Sequence, residues 1–473
     1  MSKYPYRQNS DEIRELLEQF ENLRLGKSNS FIEEDAFERI IDYYDEKEQY
    51  RMALEAADYA VEQYPYSAGL LLKKADMLLA LNNYKGALYV LEQAELLDSG
   101  DKELYILKTD AFLALDQQEK AAAVLEFAIN HFDGEERLEL LFELADVYDD
   151  YENFEKVFDC LKMILQDDPN NEEALHKICF WTDFTGRNEE GIQLHKQIID
   201  ESPYNELAWF NLAAAYQGLK LYEKAIDAYQ YAIAIEEKFD YAYRNMGDAL
   251  LRLRRYKEAI EVLEKVLELA RPEDVIYEAI GHCYDKMKNY AQARFHYKKA
   301  THLNPEDSQL QYKIACTYMN EGAWPSAIKS LEHAMRLHKL QPEYNLAMGQ
   351  CCMELNKLDD AISYFGNVVR VRPKNVNGWS ELLKCLLKAG YAEDALEYTQ
   401  FAIEQTEGKP LFLFYKSAAL FMLGKSKEAL LVLEMGMQQN AKLIKKFIEL
   451  NPQMLQNQQV VDVIARYKKG KAI

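Results

Sequence analysis

Residues 209–216 read WFNLAAAY, and residues 222–225 read YEKA. The pattern returns at two steps of 34 residues, first at Tyr243, Gly247, Tyr256 and Ala259 and then at Tyr277, Gly281, Tyr290 and Ala293. Self-similarity at one fixed period of about 20–50 residues is the signature of a repeat protein. This period therefore decides the fold class, and the rest of the chain is compared with it.

The same register divides residues 34–443 into twelve units, and Glu136 and Arg137 alone break the period by adding two residues at one joint. Position 20 is Ala in ten of the twelve units, and position 8 is small in ten. The units begin at Glu34, Ala68, Lys102, Leu138, Glu172, Glu206, Asp240, Asp274, Ser308, Pro342, Val376 and Pro410.

The spacing within a unit predicts two amphipathic helices. Apolar residues at positions 4, 7, 8 and 11 form one stripe, and those at positions 17, 20, 24 and 27 form another. Small residues at positions 8 and 20 let the two helices approach closely. Because one such pair cannot bury its stripes alone, we expect neighbouring units to stack and to stabilise one another.

This pattern resembles the tetratricopeptide repeat (TPR) family over residues 34–443. The resemblance implies an all-α, right-handed TPR α-solenoid, a superhelix of antiparallel helix pairs with terminal capping helices. We expect residues 1–33 to form an N-terminal helical cap, in which Ser30 and Glu33 have capping-box spacing. We expect residues 444–473 to form C-terminal capping helices with a basic tail.

The charge of the chain is strongly negative and uneven. The net charge is -23, with -29 on residues 1–250 and +6 on residues 251–473. A negative surface repels phosphate backbones, so no nucleic-acid partner is expected. The N-terminus lacks the apolar core of a secretory signal, no run of about 20 apolar residues occurs, and the seven Cys are odd in number. These features predict a cytoplasmic protein without a transmembrane segment.

The sequence carries no motif for catalysis. The Gly-x-Gly, HExxH, CxxC and GxSxG patterns are all absent, so we expect no enzyme activity, no cofactor and no metal site. Cys283, Cys351 and Cys385 share position 10, where five other units carry Ala or Val. Cysteine at such a position packs as a small apolar residue.

In the family that the sequence resembles, the first helix of each pair lines a concave groove through positions 2, 5, 6, 9, 12 and 13. These positions give three zones here. The acidic groove consists of Asp35, Glu38, Asp42, Glu139, Glu143, Asp146, Asp149 and Asp150. The partner-binding zone consists of Phe180, Phe184, Phe210, Asn211, Tyr241 and Asn245. An apolar zone consists of Leu411, Phe414, Tyr415, Phe421 and Met422, and these residues either bind a ligand or pack under the C-terminal helices.

Asn211 and Asn245 share position 6 of consecutive units, and their amides suit an extended peptide backbone. The alternative is that both are solvated polar residues. The family's carboxylate clamp for chaperone tails is not matched, because His176 and Phe180 stand where it needs Lys and Asn.

The sequence therefore predicts a non-catalytic scaffold or adaptor that binds a protein or peptide partner in the groove. An alternative is a regulatory or targeting subunit of an enzyme complex. A further alternative is an RNA-binding helical repeat, suggested by the basic stretch Arg252, Arg254, Arg255 and Lys257.

Overall fold

The structure is a computed structural model that describes residues 5–27, 31–450 and 452–469. All secondary structure in these ranges is helical, and no strand occurs within them. The chain divides into an N-terminal unit, residues 1–245, and a C-terminal unit, residues 246–473, with the division inside one helix.

The helices of the N-terminal unit follow one another with short connections. They are α1 (Pro5–Arg24), α2 (Glu34–Glu46), α3 (Tyr50–Gln63), α4 (Ala68–Ala80), α5 (Tyr84–Leu97), α6 (Lys102–Ala114), α7 (Gln118–Ala128), α8 (Gly134–Asp150), α9 (Phe154–Asp167), α10 (Glu172–Phe184), α11 (Asn188–Glu201), α12 (Glu206–Gly218), α13 (Tyr222–Ile235) and the first part of α14 (Asp240–Arg252).

The C-terminal unit continues in the same way. It holds the rest of α14, then α15 (Tyr256–Leu269), α16 (Asp274–Lys286), α17 (Tyr290–Leu303), α18 (Ser308–Asn320), α19 (Trp324–Leu337), α20 (Pro342–Glu354), α21 (Leu358–Val371), α22 (Val376–Ala389), α23 (Ala392–Gln405), α24 (Leu411–Met422), α25 (Ser426–Asn440), α26 (Ile444–Leu450) and α27 (Gln458–Lys469), with 3-10 turns at Ala441–Leu443 and Pro452–Gln456.

Consecutive helices pack as pairs, as the two stripes of each unit predict. The Ala residues at position 20, among them Ala53, Ala225 and Ala327, are fully buried at the contact between the two helices. Position 8 faces the bulky residue at position 24 of the same unit. At Gly281 an added Cβ would lie 2.7 Å from Cδ1 of Tyr297, so the ring occupies the space that a larger residue would need. The core is thus built from complementary sizes across each pair.

The turn inside each pair has a conformation that the periodicity does not reveal. Position 15 takes a positive φ in every pair from α2–α3 to α24–α25, for example 57° at Glu48, 62° at Lys288 and 73° at Gly322. The residue after it usually donates its backbone N–H to the carbonyl five residues earlier, as Asn289 does to Tyr284 at 2.8 Å. This is the hydrogen bond of a Schellman motif, which satisfies carbonyls at the helix end and reverses the chain.

The ends of the chain carry additional helices. In α1, the Phe20 ring is buried and packs edge-on against Tyr44 and Tyr59, with ring centroids 6.3 Å and 6.0 Å apart. In the C-terminal unit, Phe447 of α26 and Val460 of α27 are fully buried. Ser30 lies outside the described residues, and Glu33 at the N-cap of α2 makes no side-chain cap hydrogen bond.

Helix α8 begins earlier than the sequence register suggests. It starts at Gly134 and runs through Glu136 and Arg137, the two residues that break the 34-residue period, to Asp150. The Arg137 guanidinium bonds the Asp167 carboxylate of α9 at 2.7 Å and the Ile129 carbonyl. The irregular joint is therefore an extension of one helix that is anchored to its neighbours.

Candidate functional site

Aspartate occupies position 9 in four consecutive first helices of the N-terminal unit. Asp42 lies on α2, Asp76 on α4, Asp110 on α6 and Asp146 on α8. We call these four residues the acidic row. Asp42 and Asp146 belong to the predicted acidic groove, whereas Asp76 and Asp110 were not predicted, although each follows the previous aspartate by 34 residues.

The carboxylates along this face act on one another. Burial, and then the charge of Asp45, raises the pKa of Asp76; Lys73 opposes this shift, and the charges of Asp110 and Asp42 add to it. Burial also raises the pKa of Asp110. These carboxylates are held close together at a cost in electrostatic free energy, so a cation bound here would relieve repulsion.

The same effect reaches the other residues of the acidic groove. Burial, followed by the charges of Asp110 and Asp146, raises the pKa of Glu143. Burial and the charge of Asp35 raise the pKa of Glu38. Asp35, Glu139, Glu143, Asp146, Asp149 and Asp150 are exposed, and Glu38 and Asp42 are half-buried. All eight side chains are thus open to a partner.

Three lysines of the protein neutralise part of this charge. Lys73 binds Asp42 at 2.5 Å, Lys102 binds Glu139, and Lys177 lies 3.9 Å from Asp146. Acidic residues outnumber these lysines, and the face remains negative.

An aromatic cluster follows the acidic row at the next unit. Phe180 takes position 9 on α10, and its ring stacks on that of Phe184 with centroids 5.6 Å apart. Trp181 and Phe154 complete the cluster, with Phe154 stacked on Trp181 at 5.2 Å. Phe180 and Phe184 stay 59% and 56% exposed, so their faces are available for contact. The sequence analysis missed Phe154 and Trp181, because neither stands at a groove position.

The remaining residues of the predicted partner-binding zone lie on α12 and α14. Phe210 is half-buried and packs against Phe239, with ring centroids 5.0 Å apart. Tyr241 is 61% exposed on α14, with the Arg244 guanidinium 6.0 Å from its ring centroid. Asn245 is half-buried on the same helix.

Asn211 does not have the exposed position that the paired-amide hypothesis requires. Its side chain is 3% exposed, and its Nδ2 donates to the Leu175 carbonyl of α10 at 2.7 Å. The amide therefore joins neighbouring helices, as most buried polar groups form hydrogen bonds within the protein. Asn211 is neither a solvated residue nor a free donor for a partner.

The apolar zone of α24 is part of the core of the C-terminal unit. Phe414 and Tyr415 are buried, and the Tyr415 hydroxyl lies 2.6 Å from Oγ of Ser380. Phe421 packs against Phe447 of α26 with ring centroids 6.2 Å apart. Phe421 thus packs under the C-terminal helices, and Phe414 and Tyr415 are buried, whereas Met422 remains 42% exposed.

The residues that the structure describes offer neither a metal site nor an ionised thiol. Within them, no set of His, Cys, Asp and Glu has the arrangement of a metal site, and all seven cysteines are free. Burial raises the pKa of Cys283 and Cys351 to about 12, so both remain thiols. Among the described helices, none has both the length and the apolar character needed to cross a bilayer.

Sequence comparison identifies the repeat. Tetratricopeptide repeat models match residues 39–102 and 342–375, and the model of the C-terminal ARM domain of tetratricopeptide repeat protein 21 matches residues 162–347. The chain belongs to the tetratricopeptide repeat family. TPR proteins generally mediate protein–protein interactions. No curated protein matches the chain in a sequence search.

Solved TPR structures resemble the chain at low identity. The C-terminal part of a TPR protein from Cytophaga hutchinsonii is 17% identical, with a TM-score of 0.44, covering 54% of this chain and 99% of that one. The Cut9–Hcn1 hetero-tetramer of the APC/C gives 11% identity and a TM-score of 0.36 over 82% and 97% of the two chains. YrrB, a TPR protein with an unusual peptide-binding site, is 17% identical, with a TM-score of 0.35, and the match covers 39% of this chain and 95% of that one. Because these identities and TM-scores are low, the resemblance does not indicate a partner for this chain.

Proposed function

We propose that this TPR protein is a non-catalytic scaffold or adaptor whose N-terminal unit binds a basic segment of a partner protein. The observation that carries the proposal is the acidic row at position 9, which Phe180 continues at the next unit. A segment lying along the first helices would place its basic side chains against the four aspartates. An apolar or aromatic side chain of the segment would then lie on Phe180 and Phe184.

The two parts of this face have different physical roles. Charge complementarity steers a basic segment into the row and sets its direction. The aromatic cluster supplies large, partly exposed rings, and such rings are the residues on which binding free energy concentrates. Tyr241 and Asn245 lie on a later first helix of the same unit and would extend the contact for a longer segment.

Binding to a defined peptide tests the proposal. The probe is a fluorescein-labelled 15-residue peptide with alternating Lys and Arg and one Phe near its end, titrated with the full chain. We expect D76N/D110N to weaken binding about tenfold, since each aspartate would lose a charge-assisted contact. We also expect F180A/F184A to weaken binding without lowering the melting temperature, because both rings are exposed.

A charge-matched control separates the row from general acidity. Asp200 and Asp227 are exposed on α11 and α13 and lie off the row, so D200N/D227N changes the net charge equally. Equal loss in both double variants, or none in either, would reject the row as the site. Binding should also weaken steeply with added salt, because exposed charges are screened beyond about 8 Å at physiological ionic strength.

The same site would serve a regulatory or targeting subunit, in which case the partner that carries the basic segment is an enzyme. Purification from the native host that recovers one enzyme reproducibly, and loses it with D76N/D110N, would favour this version. A carboxylate-clamp chaperone interaction is not part of the proposal, since the clamp residues are missing. The seven free thiols support a cytoplasmic location.

Ion pairs formed by arginines of the basic stretch, residues 252–257, disfavour RNA binding. Arg255 pairs with Glu258 at 2.5 Å, and Arg252 lies 3.5 Å from Asp248. Arg254 occupies the left-handed turn position of its pair. Two of the three arginines are thus partly neutralised by neighbouring carboxylates.

A further inference from the structure

A groove of about 540 Å³ lies in the C-terminal unit between α17 and α19, with α18 at its base. The base is formed by Gln311, Ile314 and Tyr318. The walls carry basic and hydroxyl side chains, and we call this site the lysine groove. Its wall residues are Lys298, Thr301, His302 and Pro305 from α17 and the turn after it, and Ser326, Lys329 and Ser330 from α19.

The lysine groove has no carboxylate in its lining, although the chain has a net charge of -23. Lys298 and Lys329 are exposed on opposite walls. Neither ammonium group forms an ion pair with any residue that the structure describes. Two cations therefore face one cavity without a counter-charge from the protein.

Grooves at equivalent repeat positions elsewhere are lined differently. The one between α23 and α25 has Glu393, Glu397 and Glu428 in its walls. The one formed by α5, α6 and α7 contains Glu95, which binds Lys108 at 2.6 Å. Uncompensated positive charge is thus not a consequence of the fold. It comes from the particular side chains that line the lysine groove.

Hydroxyl groups and a helix end add to the affinity for an anion. Ser330 donates to the Ser326 carbonyl through a long contact of 3.4 Å, which a stronger acceptor would displace. Ser326 lies in the first turn of α19, whose N-cap residue Ala323 offers no side-chain hydrogen bond. The first turn of a helix carries partial positive charge, so it reinforces the two lysines.

We propose that the lysine groove binds a phosphate monoester on a serine or threonine of a partner protein. A phosphate group carries about -1.5 to -2 charges at neutral pH and three acceptor oxygens, which suit two ammonium groups and flanking hydroxyls. A carboxylate would be matched better by the planar fork of arginine, and no arginine lines the groove. The volume is within the range of sites that hold a side chain with its neighbours.

A protein carrier is favoured over a nucleic acid. A nucleic acid strand presents a phosphate at every nucleotide, whereas the groove offers two lysines in one cavity and suits a single phosphate group. A single phosphorylated side chain places its charge in the groove alone. This site is distinct from the acidic row, which lies in the other unit.

Capture from defined peptide pools tests the inference. One pool has phosphoserine at the centre of degenerate flanking residues, and the second has serine in its place, so no single flanking sequence is assumed. We expect the full chain to retain the phosphorylated pool at least about fivefold more than the serine pool. K298M/K329M should bring the retention of the two pools to about the same level while keeping the melting temperature, because both lysines are exposed.

A matched control is K339M/K374M, which removes two exposed lysines of the same unit from outside the groove. S330E is a second variant, which places a carboxylate in the groove and should also abolish the preference. Competition by inorganic phosphate at millimolar concentration would show that the phosphate group itself is recognised. Equal retention of both pools, or equal effects of the two lysine variants, would overturn the inference. Retention of single-stranded RNA that K298M/K329M removes would assign the groove to nucleic acid and would also overturn it.

Discussion

His195 is a residue whose burial has a measurable consequence. Its side chain is fully buried on α11, and neither ring nitrogen has a hydrogen-bond partner among the described residues. Burial lowers the pKa of His195 from 6.5 to about 3. The unfolded chain therefore takes up a proton below pH 6.5 that the folded chain refuses, and stability is lost as the pH falls from 6.5 towards 3.

We predict that H195L raises the free energy of unfolding by about 1 kcal/mol at pH 7, because it removes two unsatisfied polar atoms. At pH 5.5 the stabilisation by H195L should be larger by a further ~1 kcal/mol. At this pH His195 is protonated in the unfolded wild-type chain but not in the folded one, and this difference favours unfolding of the wild type alone. Urea unfolding at both pH values measures this difference. The exposed His333 provides the control variant H333L, which should change neither value. An H195L advantage that does not depend on pH would contradict the argument.

Glycine residues at helical positions have opposite roles in two helices of the C-terminal unit, α16 and α21. At Gly281 an added Cβ would meet the Tyr297 ring at 2.7 Å, whereas at Gly366 nothing lies within 4 Å of it. We predict that G281A destabilises the protein by about 1–3 kcal/mol through overpacking. G366A should instead stabilise it by up to ~1 kcal/mol through helix propensity. Thermal unfolding of both variants gives the comparison, and shifts of the same sign would refute it.

At the scale of the element, the turn between the two helices of a pair is the feature to test. Lys288 and Gly322 hold the same left-handed position in neighbouring pairs, with φ of 62° and 73°. We predict that K288G stabilises the protein by about 0.5–1 kcal/mol and that G322A destabilises it by about 1 kcal/mol. Nothing lies within 4 Å of a Cβ at Gly322, so the loss would come from the backbone and not from a clash. Denaturant unfolding that leaves both midpoints unchanged would show that this turn is relaxed.

At the scale of the whole molecule, the 34-residue period is the unit of cooperativity. Deleting residues 342–375 removes α20 and α21 together and leaves every remaining helix with a partner. We predict that this variant keeps its helicity per residue and melts cooperatively, because stability is a sum over neighbouring repeats. The control deletes residues 358–374, which removes α21 alone and leaves α20 unpaired. Circular dichroism of both variants tests the prediction, and similar loss of structure in the two would argue against repeat-wise stability.

The sequence by itself determined the helix-pair architecture of this protein. Twelve copies of one spacing restrict the fold to stacked helix pairs. Apolar residues at helical intervals must be buried, and small residues at positions 8 and 20 define where the two helices of a pair meet. The charge pattern was equally plain, and position 9 alone would have located all four aspartates. What these features share is that they depend on residue type and interval, which the sequence states directly.

Tertiary structure decided which groove residues are free. Asn211 and Asn245 hold the same repeat position, yet the Asn211 amide already donates a hydrogen bond to the Leu175 carbonyl. Phe154 of α9 joins Trp181 and Phe184 of α10 only through packing between the two helices. The lysine groove likewise exists because Lys298 and Lys329, on different helices, face one cavity. The exposure of a side chain, and whether an opposite charge neutralises it, depend on neighbours that are distant in the chain. A periodic pattern specifies the position of a residue in its repeat, but it does not specify these neighbours.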